Sequence, residues 1–400
     1  MKEHWLNAER LRIYPLALMA LYVGWACILV LRAHGGVDAS GKPLGFDFIA
    51  FWGAARIALG GHPADAYDMQ RLLEVERTAL PGLGDGPLGP WQYPPTFLLL
   101  VLPLGLLPYF LSYFSFIGAS FGGFAVVLRR TLAAQGIAPR AAWLPLLGSP
   151  AVMVNAFEGQ NGFLTAALIG AALLLLQSRP AVAGLLIGAL TIKPHLGLLL
   201  PLALLCGGCW RALFYAALGA AGFAAGSVAV LGSDTLWAFF ERLPLVASWV
   251  SEGKMPLAKM PTFFSLGRSL GLPAGAAWLL HGLVAMLAAA VVARVWLGGR
   301  SMALRAAALL SGTMLLSPYL YDYDLVWMGL ALAWFAGYAL RHGWRPWEKE
   351  LLVLVWLQPG IMALGHYALQ FQPAPLLSLA FLLLVLRRAV DRPEAAAGVA

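Results

Sequence analysis

LRIYPLALMALYVGWACILVL, residues 11–31, is apolar throughout except for Arg12. At 1.5 Å per residue it is long enough to cross a hydrocarbon layer of about 30 Å. No small-residue cleavage site and soluble domain follow it, so it reads as a retained first membrane helix and not as a removable leader. Composition extends that reading to the whole chain. Of 400 residues, 60% are hydrophobic and only 12% charged, with 15 Trp and a mean hydropathy of +0.76. That is more apolar surface than one water-soluble core can hide, and the chain reads as an all-α polytopic integral membrane protein.

Further apolar stretches run from Tyr109 to Leu128, Ala141 to Phe157, Gly162 to Leu176, Ala181 to Ile192, Leu196 to Leu205 and Ala212 to Leu231. Five more run from Ala274 to Leu297, Ala303 to Leu316, Leu325 to Leu340, Leu351 to Leu369 and Pro375 to Leu386. The expectation is a single domain over residues 1–400 with about 12 helices. The two stretches flanking Lys193-Pro194-His195 are too short to span, which predicts a broken hairpin that turns inside a cavity.

The net charge of +8 would suggest an acidic partner in a soluble protein, but here Arg and Lys cluster at alternate segment ends, so placement matters more than the total and no nucleic acid is expected. With a cytoplasmic N-terminus, that side collects 17 of the 27 bases, from Lys2, Arg10, Arg12, Arg129, Arg130 and Arg140 through Arg341, Arg345 and Lys349 to Arg387, Arg388 and Arg392. Only six of the 19 acids join them: Glu3, Glu9, Glu348, Glu350, Asp391 and Glu394. The positive-inside rule then places both termini in the cytoplasm.

Two long regions face outward, His34–Pro95 and 232–272. The first carries a Gly-containing loop at His34–Gly45, an amphipathic candidate helix at Phe46–Leu59 and a turn at Gly60-Gly61-His62-Pro63. A Gly- and Pro-rich stretch, Pro81–Pro95, closes it. YPPTFLLLVLPLGLLP, residues 93–108, is apolar but interrupted by prolines and suits a helix lying at or dipping into the interface. The last residues, EAAAGVA, read as a frayed tail.

Function is sought in the outward loops. Asp47 stands among Phe46, Phe48 and Trp52, where desolvation suits a general base for a hydroxyl nucleophile, or a ligand for a metal or substrate cation. Helix N-capping explains the same aspartate equally well, and both readings stand together. Cys206-Gly-Gly-Cys209 offers a redox or metal pair, against incidental small residues in a tight turn, and lacks a second ligand pair.

Asp47, Ala54-Ala55-Arg56 and Gly60-Gly61-His62-Pro63-Ala64-Asp65-Ala66-Tyr67-Asp68 together resemble the first outward loop of glycosyltransferase family 87. These are polyprenol-phosphate-mannose-dependent mannosyltransferases of the GT-C architecture. Further matching pieces follow in the family's order: Tyr93-Pro94-Pro95, Leu102-Pro103-Leu104, Leu107-Pro108, Gly159-Gln160-Asn161, Ala183-Gly184-Leu185 through Gly188 to Lys193-Pro194, and Ser317-Pro318. The resemblance covers about residues 40–340. It implies a GT-C-like bundle in a bacterial plasma membrane that moves a sugar from a polyprenyl-phosphate carrier to a lipid or glycan acceptor on the outward face, with inversion. It also implies that Asp47 is the catalytic aspartate.

Direct displacement at an anomeric carbon needs a base and a group to receive the departing phosphate. Lys193, a charge within apolar sequence, is the first candidate for that phosphate, with His195 and Arg56 beside it. Snorkelling or pairing with Glu158 is the alternative for Lys193, and hydrogen bonding to a freed carbonyl for His195. Arg56 alternatively turns outward to an acid on the loop.

Tyr93, Gln160, Asn161, Tyr321, Asp322 and Tyr323 form the expected substrate-binding set. For Asn161 the alternative is capping of the following helix, and for Asp322 or Asp324 likewise, with the tyrosines in an interfacial belt. Two departures from the family occur: Tyr321 or Tyr323 stands where a histidine often follows Ser-Pro, and Met260-Pro261-Thr262-Phe263-Phe264-Ser265 lacks the Asn usual before the Ser. Trp237 and Trp249 read as groove-lining or as interfacial anchors. No His, Asp and Glu cluster has metal-ligand spacing, so no cofactor is expected. A transporter or flippase is the rival reading, disfavoured by the absence of a repeat and by the unequal outward loops.

Overall fold

The computed structural model describes residues 4–83, 89–138 and 143–391. Lys2, Glu3, Arg140, Arg392, Glu394 and the terminal EAAAGVA lie outside the described residues, as does part of the Pro81–Pro95 stretch. Among the described residues all regular structure is helical, with isolated β-bridges pairing His34 with Val37 and Val37 with Pro43.

Among the described residues five helices are long and apolar enough to cross a membrane: Arg10–Arg32, Tyr109–Ala134, Trp210–Leu231, Ala274–Leu297 and Asp322–His342. Shorter apolar helices fill in between, among them Gly162–Leu175, Pro180–Ile192, Pro194–Cys206 and Met302–Leu316. Two stretches expected as single spans are divided. Residues 141–157 hold Trp143–Leu147 and Pro150–Glu158, separated by Gly148 and Ser149 ahead of a proline. Residues 351–369 fall into Glu348–Trp356 and Gln358–Leu369, broken where Pro359 removes a backbone donor.

The bundle is built around Met302–Leu316, buried from Ala306 to Leu315. It packs on Ala274–Leu297, on Val326–His342 and on Ala374–Val390. Its alanines let those neighbours approach closely, which is how helices gain contact where lipid supplies no hydrophobic drive. Helix Pro180–Gly188 docks on Trp210–Leu231 by the same device, since a Cβ on Gly184 or Gly188 would run into the Ala212, Ala216 and Ala220 backbone. Helices on the outside are left bare, with Leu21, Val23, Leu31, Phe214 and Val230 all exposed, as lipid-facing surfaces are.

Helix ends rich in bases gather away from the site described below. His4 Nε2 lies 3.0 Å from Glu350 Oε1, Arg341 donates to Gln135 Oε1 at 2.5 Å, and Arg345 pairs with Asp391. Arg388 makes a two-pronged contact with Glu348, Nε to Oε1 and Nη2 to Oε2 both at 2.6 Å, with almost no solvent exposure. Such a fork satisfies both charges at once, and it clamps the last long helix to Glu348–Trp356.

At the other end the two long loops fold into a lobe. Helix Phe48–Leu59 is not amphipathic as expected: Phe48 through Ala55 and Ile57 are all buried. It is covered by helix Met69–Ala79, by the segment after Tyr93, and by Tyr109 and Tyr113 of the following long helix. Residues 93–108 form helix Pro95–Val101 and a 3-10 turn, Leu102–Leu106, whose Phe97, Leu98 and Val101 are fully enclosed against Phe48–Leu59 and Trp210–Leu231. That segment is a core element of the lobe. Helix Ser233–Ser251 leans on the lobe, where Arg242 donates to the Tyr67 carbonyl. Cys27, Cys206 and Cys209 are all free thiols, and the CxxC forms a turn at Gly208.

One acid inside the lobe is costly. Glu76, on Met69–Ala79, is 1% exposed and its Oε1 has no hydrogen-bond partner. Burial pushes its carboxyl up to about 8. The folded protein therefore keeps this proton across a range where the unfolded chain has lost it, so stability falls as pH rises from about 4.5 to about 8. Glu76→Gln should melt above the wild type by a margin that widens across that range. Parallel Tm-versus-pH curves for the two proteins would contradict this.

Candidate functional site

Asp47 immediately precedes helix Phe48–Leu59 but does not cap it. Its backbone is already helical, φ −74° and ψ −17°, and its side chain makes no capping bond. A capping side chain needs an extended backbone to fold back over the first free N–H groups, which this one lacks. The conformation is imposed from both sides. Phe46 is held at φ +40°, a region costing a bulky L-residue on the order of 1–3 kcal/mol. Tyr109 donates its hydroxyl to the Leu44 carbonyl at 2.6 Å, and Asp47 N–H donates to the Glu158 carbonyl at 3.1 Å. With the cap refused, Asp47 Oδ2 accepts from Gln160 Nε2 at 2.8 Å. Oδ1 has no hydrogen-bond partner among the described residues.

The turn that meets Asp47 is Glu158–Asn161. Gly159 sits at φ +65°, and a Cβ there would strike Phe48 and the Gly45 carbonyl, so glycine lets the turn lie flat on the start of the helix. Tyr113 pins the preceding helix by donating to the Ala156 carbonyl at 2.7 Å. Gln160 is 3% exposed, and its Oε1 accepts from the Tyr93 hydroxyl at 2.8 Å and from Asn161 N–H at 3.3 Å. Tyr93, Gln160 and Asp47 thus form one chain of bonds. Asn161 does not cap helix Gly162–Leu175. That work falls to Asn155, whose Oδ1 accepts the Gly162 N–H at 2.8 Å.

Behind the turn lies Lys193, between the 3-10 turns Ala189–Ile192 and Pro194–Gly197. The break in the hairpin is where its sequence places it. Lys193 does not pair with Glu158: Nζ is 2.5 Å from Asp324 Oδ1, with the two side chains 3% and 0% exposed. It also reaches Asn161 Oδ1 at 3.5 Å and lies 4.5 Å from the centre of the Tyr323 ring. Tyr321 and Tyr323 stack with centroids 5.4 Å apart and planes 6° from parallel. Asp324 Oδ2 accepts the Tyr321 N–H at 3.2 Å, and Asp322 Oδ1 the Tyr323 N–H at 3.0 Å. These acids cap their own short turn, and Asp324 in addition holds the lysine. Gly162 admits the Tyr323 carbonyl, which a Cβ would displace. His195 Nε2 is buried without a hydrogen-bond partner among the described residues.

The structure brings together Asp47, Tyr93, Gln160, Asn161, Lys193, Tyr321, Asp322 and Tyr323. Arg56 is left out. It sits nine residues along the helix from Asp47, roughly 13 Å, where it is exposed, lies 5.6 Å from the Trp52 ring and donates to the Gly105 carbonyl at 3.3 Å. It turns to a carbonyl and not to an acid. Trp237 is exposed beside Phe240, and Trp249 is half-buried. In the Met260–Ser265 stretch, Thr262 accepts the Ser265 N–H at 3.1 Å and caps helix Phe263–Ser269.

Two residues join the site that the sequence did not single out for it as a pair. Glu158 Oε1 meets Lys259 Nζ at 2.6 Å, Lys259 coming from the second long loop. Burial, then the nearby Asp322 charge, push the Glu158 carboxyl up to about 8 against the pull of Lys259. Burial works against the Lys259 charge, but Glu158, Asp47 and Asp322 together outweigh it, and its pKa stands above the ordinary lysine value. Glu158 was visible as part of the Glu-Gly-Gln-Asn turn. Lys259 carries no local signal, because its partner lies in a distant segment.

A family model described as glycosyltransferase family 87 matches residues 91–318, more than half of the chain. The match includes Tyr93, Glu158, Gln160, Asn161, Lys193, His195 and Lys259, and stops short of Asp47, Arg56 and residues 321–324. No curated protein and no solved structure matches the chain.

The buried ion pair yields a stability test. Lys193→Met leaves Asp324 enclosed without its counter-charge, a loss of about 3–5 kcal/mol. Lys193→Met with Asp324→Leu removes both charges and should recover most of that loss in thermal unfolding. Equal melting of the single and double variants would show that the pair is not coupled.

Proposed function

The chain belongs to glycosyltransferase family 87, and from that premise we propose that it transfers a hexose, mannose by family habit, from a polyprenyl-phosphate carrier to a hydroxyl of a lipid or glycan acceptor. The reaction is a direct displacement with inversion. The acceptor oxygen attacks the anomeric carbon, Asp47 takes the hydroxyl proton, and the bond from that carbon to the phosphate oxygen breaks, releasing polyprenyl phosphate.

The observation that carries this reading is the state of the Asp47 carboxylate. One oxygen is held by Gln160, which fixes the direction of the group, and the other has no hydrogen-bond partner among the described residues. A carboxylate that merely capped its helix would spend its oxygens on backbone N–H groups. A base must keep one oxygen for the proton it takes, while the first bond holds its geometry. Aromatic rings pack along the helix that follows it: Phe48 contacts Tyr113 and Phe116, and Phe51 contacts Trp91 and Tyr93. Tyr321 and Tyr323, stacked and next to Asp322, supply a flat apolar face with polar edges, which suits a pyranose ring.

In this reading the bundle is of the GT-C kind in a bacterial plasma membrane, with about 12 segments crossing or entering the bilayer. Both termini are cytoplasmic and the lobe faces outward. Grouping of basic helix ends at the far end from Asp47 supports that orientation. Displacement proceeds without a metal. Turnover should persist in excess chelator, and loss restored by Mg²⁺ or Mn²⁺ would contradict the metal-free step.

The decisive experiment offers reconstituted protein a panel of polyprenyl-phosphate sugars. Wild type should release polyprenyl phosphate and Asp47→Asn should lose at least about 10²-fold in rate while melting normally. Near-normal turnover by Asp47→Asn would remove the base assignment.

A further inference from the structure

We propose that Lys259 is the ligand for the phosphoryl group of the lipid-linked donor, and that the Glu158 carboxylate now against it is the internal partner which that phosphoryl group displaces. This rests on the donor class stated above. Two lysines feel the Asp47 charge, Lys193 and Lys259. Lys193 is committed, at 2.5 Å from Asp324, 3% exposed and overlaid by the Tyr323 ring. A phosphate could take it only by stranding a fully buried aspartate.

Lys259 is placed differently. It is 34% exposed, and it ends the short 3-10 turn Leu257–Lys259 in a loop. Its partner is poorly satisfied, since Glu158 Oε2 is buried with no hydrogen-bond partner among the described residues. Exchange of one carboxylate oxygen for phosphoryl oxygens therefore costs Lys259 little. It also brings the cation to the rim of the cluster that contains Asp47, through the Glu158–Gln160 turn.

The charge balance favours the exchange. The donor is a phosphodiester with one negative charge, and it arrives beside Asp47, Glu158 and Asp322. Lys259 neutralises the incoming charge. Glu158, left facing Asp322, Asp47 and the Tyr321 phenol, takes a proton from solvent, for which its raised affinity already prepares it. When the sugar leaves, the phosphate becomes a monoester and gains negative charge. The Lys259 contact then strengthens as the bond breaks, which is the condition for a binding residue to raise the rate.

The test is calorimetric titration of the purified full-length protein in detergent with farnesyl phosphate, at about pH 9 so that Glu158, raised to about 8, starts as a carboxylate, in two buffers of different ionisation enthalpy. Wild type should bind with net proton uptake. Lys259→Met should weaken binding by about tenfold or more, the loss of one charge-assisted contact, and Lys259→Arg should restore most of it. Glu158→Gln should bind farnesyl phosphate more tightly than wild type and without proton uptake. Unchanged affinity in Lys259→Met, or uptake persisting in Glu158→Gln, overturns the assignment. If wild type binds and Lys259→Met binds equally well, Lys259 alone falls. If wild type does not bind farnesyl phosphate, the lipid-phosphate donor falls with it. Inorganic phosphate should compete only weakly, and equal affinity would mark a free-anion site and overturn the lipid-linked one.

Discussion

An ammonium and a carboxylate enclosed together, Lys193 and Asp324, hold three separated parts of the chain to one another. The lysine comes from the break in a helical hairpin and the aspartate from the start of the helix that runs to His342. Asn161, at the head of a third helix, joins them. Neither charge has access to water, so each requires the other, and a shift of any one part would expose an unpaired charge. That requirement fixes where Tyr323 lies, and through Gly162 where the Glu158–Asn161 turn lies.

The lobe imposes a second constraint from the opposite side. Helix Phe48–Leu59 is buried on nearly all faces by aromatic packing, and its first turn is pressed against Gly159. Asp47 cannot relax into a helix cap without undoing the turn at Phe46 and the bond to the Glu158 carbonyl. The backbone strain at Phe46 is offset by that packing, and its effect is to aim the carboxylate at Gln160. Between the two constraints the polar side chains gather, and the two cations among them, Lys193 and Lys259, occupy unequal positions. One is buried and the other is partly exposed.

Much of this was legible in the residues. Asp47 among aromatics, the polar Glu158–Asn161 turn, the hairpin break at Lys193 and the Tyr-Asp cluster at 321–324 all stood out because each interrupts a monotonous apolar background. Such interruptions are expensive in a membrane and are therefore readable. Arg56 lies apart from the cluster, for the opposite reason. At the polar end of a loop helix a base costs nothing, so its presence carries little information, and the structure turns it to Trp52 and Gly105. The short divided helices at 143–158 and 348–369 were read as single spans because hydropathy counts apolar residues without registering a one- or two-residue break.

The sequence by itself determined the class of the protein, the positions of its long helices and the residues that interrupt them, since these depend on local composition and periodicity. Only the tertiary structure decided the partners. Lys193 was offered Glu158 by nearness in the outward turns, and took Asp324. Glu158 took Lys259 from the second loop. Which charges meet depends on how helices far apart in the chain pack, and a buried charge settles on the counter-charge that packing brings within about 3 Å. No local pattern encodes that choice.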